Sequence, residues 1–185
     1  LLTMANRTTE DVFSLLDNLL KWTKSQIGNL NVVYQDVDAV EVVDSVIDVF
    51  NMVAGLKKIT IREEKPEKLP VCTDIDMLKT IIRNLLSNAI KFSNENSEVL
   101  VKMEEQGDTV VVSVKDSGCG IDEEGQQKLL HTDTHFSTFG TNNEEGSGLG
   151  LLLCQDFAVK SGGKLWFTSK KGEGSTFYFS IPLKK

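Results

Sequence analysis

The stretch Ile81-Ile82-Arg83-Asn84-Leu85-Leu86-Ser87-Asn88-Ala89-Ile90-Lys91-Phe92 decides the fold. It reads as one helix with two unlike faces. Leu78, Ile82, Leu85, Leu86 and Ala89 recur at the spacing that lines up along one side of a helix, and they face a core. Asn84, Asn88 and Lys91 share another side. Asn88 offers a carbonyl oxygen, the hard ligand type that magnesium prefers, and Lys91 offers a point charge for phosphate. The same three residues also fit an ordinary solvated face. What separates the two readings lies further along the chain.

The composition sets bounds. The chain has 185 residues, enough for one domain or one domain with a short appended element. Apolar content of 40% and charged content of 25% are ordinary for a globular chain. A net charge of −7 argues against nonspecific binding to nucleic acid. A nucleotide stays within reach, because a few local donors and one magnesium ion set that affinity. Cys72, Cys119 and Cys154 stand far apart and in no metal-binding spacing, as expected of reduced thiols in a cytoplasmic protein. No apolar run is long enough to cross a bilayer, so no direct membrane contact is expected here. The chain opens without an initiator methionine, inside what reads as a helix. It is therefore expected to belong to a longer protein, whose anchoring in a membrane is left open.

From Thr9 to about Ile27 the pattern is helical, with Val12, Leu15, Leu16, Leu19, Trp22 and Ile27 on one stripe. Such a stripe packs on the main domain or pairs with another helix, and a copy of itself in a dimer is the favoured partner. Residues 28–39 read as a connector. A second helix runs from Asp38 to Gly55, with Val40, Val43, Val46, Ile47, Phe50 and Val53-Ala54 inward. Ile59-Thr60-Ile61 reads as a strand. A charged turn over Glu63 to Pro70 and a short edge strand at Val71-Cys72 follow, and Thr73 or Asp74 caps the central helix. Val99 to Met103 and Val110 to Val114 alternate as two strands around a turn at Gln106-Gly107-Asp108.

The glycine clusters come next. Asp116-Ser117-Gly118-Cys119-Gly120-Ile121 ends a strand, where open α/β sheets tend to place ligands. The glycines there admit a flat ligand close to the backbone, and Asp116 can accept a hydrogen bond from an exocyclic amine such as that of adenine. Taken alone, the cluster also fits a capped turn. Asp122 to Leu130 is a short helix. Residues 131–145 have no period and read as a lid, with Phe136 and Phe139 packing it down. His131 and His135 lack the company that a metal site needs. Gly146-Ser147-Gly148-Leu149-Gly150-Leu151 then opens a helix running to about Lys160, and its exposed N–H groups suit an anion. The spacing matches neither a Walker loop nor a Rossmann fingerprint. Gly162-Gly163 ends that helix. Lys164 to Ser169 and Ser175 to Ile181 form a closing hairpin, from which Thr176 can point its hydroxyl at a base pocket.

As a set, these motifs resemble those of sensor histidine kinases. Asn84 to Phe92 is similar to their N box, Asp116 to Gly120 to G1, and Phe136 to Phe139 to the F box. Gly146 to Leu151 is similar to G2, and Gly172 to Phe177 to the last glycine box. The match covers about residues 40–183. It implies an α+β fold of the Bergerat type: a two-layer sandwich of a mixed sheet with helices on one face, preceded by one amphipathic dimerisation helix. The implied domains are 1–30 (part of the dimerisation and phosphotransfer hairpin), 31–39 (connector) and 40–185 (catalytic ATP-binding domain). The implied ligands are ATP and Mg²⁺, with Asn88, and Asn84 in support, on the metal. Asn84, Asn88 and Lys91 are the implied catalytic residues. Phe92, Asp116, Gly118, Gly120, Ile121, Phe136, Gly146, Ser147, Gly148, Leu149, Gly150, Leu151 and Thr176 join them around the nucleotide.

The implied reaction carries the γ-phosphate to a histidine on a helix expected outside this sequence, for relay to an aspartate of a response-regulator receiver domain. Hydrolysing relatives carry a glutamate where Asn84 stands. An amide cannot take a proton from water, which favours transfer over hydrolysis. The family often has a lysine or arginine near position 139, where this chain has Phe139. A degenerate nucleotide-binding scaffold and a serine-kinase regulator of the same superfamily are the alternatives.

Overall fold

The computed structural model of the chain describes residues 16–24, 31–130 and 149–184. Its elements, in chain order, are a helical segment at 16–24 (α1), β1 (Gln35–Asp38), α2 (Ala39–Leu56), β2 (Thr60–Glu64), β3 (Pro70–Thr73), α3 (Ile75–Phe92), β4 (Glu98–Gln106), β5 (Thr109–Lys115), α4 (Glu123–Leu130), α5 (Leu149–Lys160), β6 (Leu165–Lys170) and β7 (Gly174–Pro182). Five strands form one sheet in the order β2-β4-β5-β7-β6, and β1 and β3 form a separate two-stranded sheet. β2 runs parallel to β4 and the other pairings in the large sheet are antiparallel, so the sheet is mixed, as expected.

The core lies between one face of the large sheet and the helices. Alternation along β4 and β5 sends Val99, Val101, Met103, Val110, Val112 and Val114 inward, and all are buried. They meet Ile82, Leu85 and Leu86 of α3, Val43 and Ile47 of α2, and Leu153 and Phe157 of α5. α3 takes the central place because its apolar side is continuous: Leu78, Ile81, Ile82, Leu85 and Leu86 are each at most 1% exposed. Burial of this kind contributes on the order of 25 cal/mol per Å² and holds the two layers together.

The structure departs from the sequence reading in places. Residues 35–38, expected within a connector, are strand β1, antiparallel to β3. Asp38 then caps α2, accepting from the N–H of Val40 at 3.0 Å and of Leu69 at 2.9 Å. Asp74, rather than Thr73, caps α3. Val53, expected inward, is 46% exposed: the helix turns Ala54 to the core and sends Val53 out beside Val49, Met52 and Leu56. α1 touches the main domain. Trp22 packs against the core, and Lys21 Nζ donates to Thr80 Oγ1 at 3.4 Å. Val12, Leu15 and Ile27 lie outside the described residues. Among the described residues no helix is long and apolar enough to cross a membrane. All three cysteines are free thiols.

Candidate nucleotide site

The site is built on α3, and α3 is started by one carboxylate. Asp74 Oδ1 accepts from the N–H groups of Asp76 (2.9 Å) and Met77 (3.0 Å), which have no partner within the helix. Its other oxygen, Oδ2, accepts from Val33 N at 2.9 Å and so ties the connector to the same point. From there the helix periodicity buries one side and leaves Asn84, Asn88, Lys91 and Phe92 half-buried along another.

Asn84 is held by its own helix. Its Nδ2 donates to Thr80 O at 2.9 Å, which turns Oδ1 away from the helix axis. Asn18 Nδ2 of α1 reaches that oxygen at 3.3 Å. Gly150, in the first turn of α5, sits against it too: a Cβ built there would lie 2.6 Å from Asn84 Oδ1. Asn88 makes no hydrogen bond through its amide among the described residues, leaving a half-buried carbonyl oxygen available. Lys91 Nζ stands 5.2 Å over the ring of Phe92, within cation–π range.

The second wall is the loop after β5. Asp116 is 4% exposed. Its Oδ1 accepts from Gly118 N at 2.9 Å and from Ser175 N at 3.2 Å, and Asp116 N donates to Ser175 O at 2.9 Å. Among the described residues Oδ2 accepts nothing. Burial pushes the Asp116 carboxyl above the ordinary aspartate range, and the two backbone donors only partly oppose it. Gly118 lies flat on the end of α3, where a Cβ would stand 2.1 Å from Phe92 O. Gly174 has φ +98, and a Cβ there would stand 2.2 Å from Asp116 O. The loop is also fastened to the closing hairpin. Ile121 N donates to Ser169 Oγ at 2.8 Å, and Gln126 Nε2 donates to Ile121 O (2.8 Å) and Ser169 O (3.1 Å).

The structure thus brings together Asn84 with Gly150 and Phe92 with Gly118, while Asp116 meets the start of β7. Leu149 and Leu151 flank Gly150 at the head of α5. Thr176 pairs with Lys115 and Thr168 in the sheet, and the residue before it, Ser175, meets Asp116 through its backbone N–H and carbonyl. Ser175, Ser169 and Gln126 were missed by sequence reasoning. The position of Ser175 directly after Gly174 and the period of two were the available signal. Phe136, Phe139, Gly146, Ser147, Gly148, His131 and His135 lie outside the described residues. Among the described residues no group of three or more histidine, cysteine or acidic side chains could hold a metal. The side-chain oxygens that this face of α3 presents are the amides of Asn84 and Asn88.

A half-buried helix face of amides is met by α5 at Gly150 and, at its end, by the loop that carries the buried Asp116, and this arrangement defines a class. The family model described as histidine kinase-, DNA gyrase B-, and HSP90-like ATPase matches residues 73–185. The chain belongs to this family. Within it, the similarity is to sensor kinases. The adaptive-response sensory kinase SasA of Rippkaea orientalis is 30% identical over 171 residues, covering 91% of this chain and 43% of that protein. The chain thus spans less than half the length of the SasA proteins it matches. The catalytic domain of histidine kinase ThkA is 29% identical with a TM-score of 0.70, covering 82% of this chain and 96% of that one. The Acinetobacter baumannii histidine kinase AdeS superposes with a TM-score of 0.78 over 100% of this chain and 84% of that one; at 18% identity it shows the shared fold. The fold is the Bergerat-type α+β sandwich, and the chain is an ATP-binding catalytic domain of the sensor histidine kinase kind.

Proposed function

We propose that this chain is the part of a sensor histidine kinase that binds Mg-ATP and presents its γ-phosphate to a histidine on a dimerisation helix, for relay to a response-regulator aspartate. One observation carries the reading. Three separate segments converge: α3 at Asn84 and Phe92, the Asp116–Gly118 loop, and α5 at Gly150. In this reading the exocyclic amine of adenine donates to Asp116 Oδ2. Gly118, lying flat against Phe92 O, lets the loop that carries Asp116 close on the end of α3. Asn88, with Asn84 in support, holds Mg²⁺. The donor set fits that ion, which keeps several waters, takes few protein oxygens and otherwise binds phosphate. When bound, the ion neutralises phosphate charge. Lys91 adds a cation near the phosphates, and Gly146, Ser147 and Gly148 join it as nucleotide-binding residues. The amide of Asn84 removes no proton from water, and a neutral imidazole acceptor needs none removed, so positioning and charge neutralisation supply the catalysis.

The domains follow the same reading, with residues 40–185 as the catalytic unit, 31–39 as the connector and 1–30 as part of the dimerisation hairpin. The exposed Leu16, Leu19 and Leu20 on α1 suit a second helix, including its copy in a homodimer. The test is calorimetric titration of the chain with a non-hydrolysable ATP analogue, with and without magnesium, beside Asn88→Ala and Asp116→Asn. Magnesium-assisted binding that weakens in both variants is expected. An intact chain that binds no nucleotide would overturn the reading and leave a scaffold.

A further inference from the structure

A buried cation stands behind the site and takes no part in the binding described so far. Lys57 is 6% exposed. Its backbone closes α2, with Lys57 N donating to Ala54 O at 3.0 Å. The chain then turns through Lys58 at φ 56, and Ile59 N returns to Ala54 O at 2.9 Å. The side chain goes to a different helix end. Lys57 Nζ donates to Ile90 O at 3.0 Å and to Lys91 O at 2.8 Å.

Both acceptors lie in the last turn of α3, where carbonyls lack partners within the helix and carry the negative end of its dipole. An ammonium suits that place. Its removal would take this donor from the buried bond at Ile90 O and from the part-buried one at Lys91 O. Those carbonyls immediately precede Phe92. Phe92 O is the atom against which Gly118 lies, and Gly118 N is one of the two donors that orient Asp116. A continuous run of contacts therefore leads from the Lys57 ammonium through the end of α3 to the carboxyl that reads the base.

We propose that Lys57 is a positioning residue for the nucleotide site. Its ammonium fixes the carbonyls of Ile90 and Lys91, and so sets where Phe92 meets the Gly118 loop and where the Lys91 side chain starts. The proposal rests on the nucleotide reading above. The competing account gives Lys57 the sole task of joining α2 to α3. That account predicts lower stability with unchanged ligand affinity.

The experiment compares the full chain with Lys57→Met, Lys57→Gln and Val46→Ala. Val46 is a buried α2 residue whose truncation lowers stability elsewhere in the core. Affinities for a non-hydrolysable ATP analogue are read well below the unfolding transition of every variant, beside the amide NMR shifts of Gly118 and Gly120 without ligand. Lys57→Met is expected to bind about tenfold more weakly, on the scale of lost hydrogen bonds to a charged group, and to shift both amides. Lys57→Gln, which keeps one donor, falls between Lys57→Met and the unaltered chain, and it carries the comparison if Lys57→Met does not fold. Val46→Ala loses Tm but keeps its affinity within about twofold and its amide shifts in place. Unchanged affinity and unshifted amides in the Lys57 variants overturn the proposal. If the unaltered chain binds no nucleotide, the functional reading falls, and the amide shifts alone decide the role of Lys57.

Discussion

Asp116 accepts two backbone N–H groups through one oxygen, and its other oxygen, Oδ2, accepts nothing among the described residues. Its pKa is raised by burial. A folded-state pKa above the unfolded one means that protonation favours the fold. The stability tied to this group is complete below its unfolded pKa and is lost as pH rises through the raised value. Binding runs the other way, because an adenine amine needs the ionised acceptor. Affinity measured by calorimetry as the pH is lowered from neutrality should therefore fall, with an onset above the ordinary aspartate range. Asp116→Asn should bind about 10- to 100-fold more weakly at neutral pH and lose that dependence. A flat profile in the unaltered protein would remove Asp116 from the base-reading role. Gly118 supplies a steric counterpart. In Gly118→Ala the new methyl meets a backbone carbonyl rather than a yielding side chain. The cost should be about 1–3 kcal/mol, seen as a Tm lower by several degrees, together with loss of nucleotide binding.

α3 turns one carboxylate into a structural junction, since Asp74 serves two helix N–H groups and Val33 of the connector at once. Asp74→Ala should cost about 1–2 kcal/mol, at the high end for an N-cap because a third donor is stranded. Differential scanning calorimetry should show a Tm lower by roughly 2–8 °C. Helices and strands with a strong period were legible in the sequence. The apolar side of α3 and the alternation of β4 and β5 are visible residue by residue, and so are the glycine clusters. β1 was not, because Gln35-Asp36-Val37-Asp38 carries a single apolar residue and owes its strand state to β3. Val53 was misplaced because an unbroken apolar run does not say where the helix turns its face. Lys57 gave no signal, since a lysine beside Lys58 after an apolar run reads as a solvated turn. Its ammonium is taken up by the end of the neighbouring helix.

Across the whole molecule, α1 is the lightly held part. Trp22 reaches the core, while Leu16, Leu19 and Leu20 are 57%, 42% and 55% exposed. A cavity of about 490 Å³ is lined in part by Lys21, Lys24, Val33, Met77, Thr80 and Phe157, so that α1 and the residues before β1 only partly cover the helices beneath. The core cluster is otherwise drawn from residues 32 onward. A protein lacking residues 1–30 should therefore still unfold cooperatively, with a Tm within a few degrees of the full chain. Loss of the cooperative transition would show that α1 belongs to the core.

The two ends of the main domain are pinned together. Lys184 Nζ pairs with Asp36 Oδ2 at 2.6 Å, Lys184 N donates to Pro70 O at 3.3 Å, and Leu183 bridges to Val71 beside β1. Topologically the domain is close to a ring, so its order of connection is open to change without disturbing its shape. A circular permutant that joins residue 184 to residue 35 through a short Gly/Ser linker, and opens the chain at the exposed Glu67, should fold and keep its ligand. Such a domain is a cassette. It can be spliced into a surface loop of an unrelated host with both its junctions side by side, and a ligand that tightens it would pull on the host at that one seam.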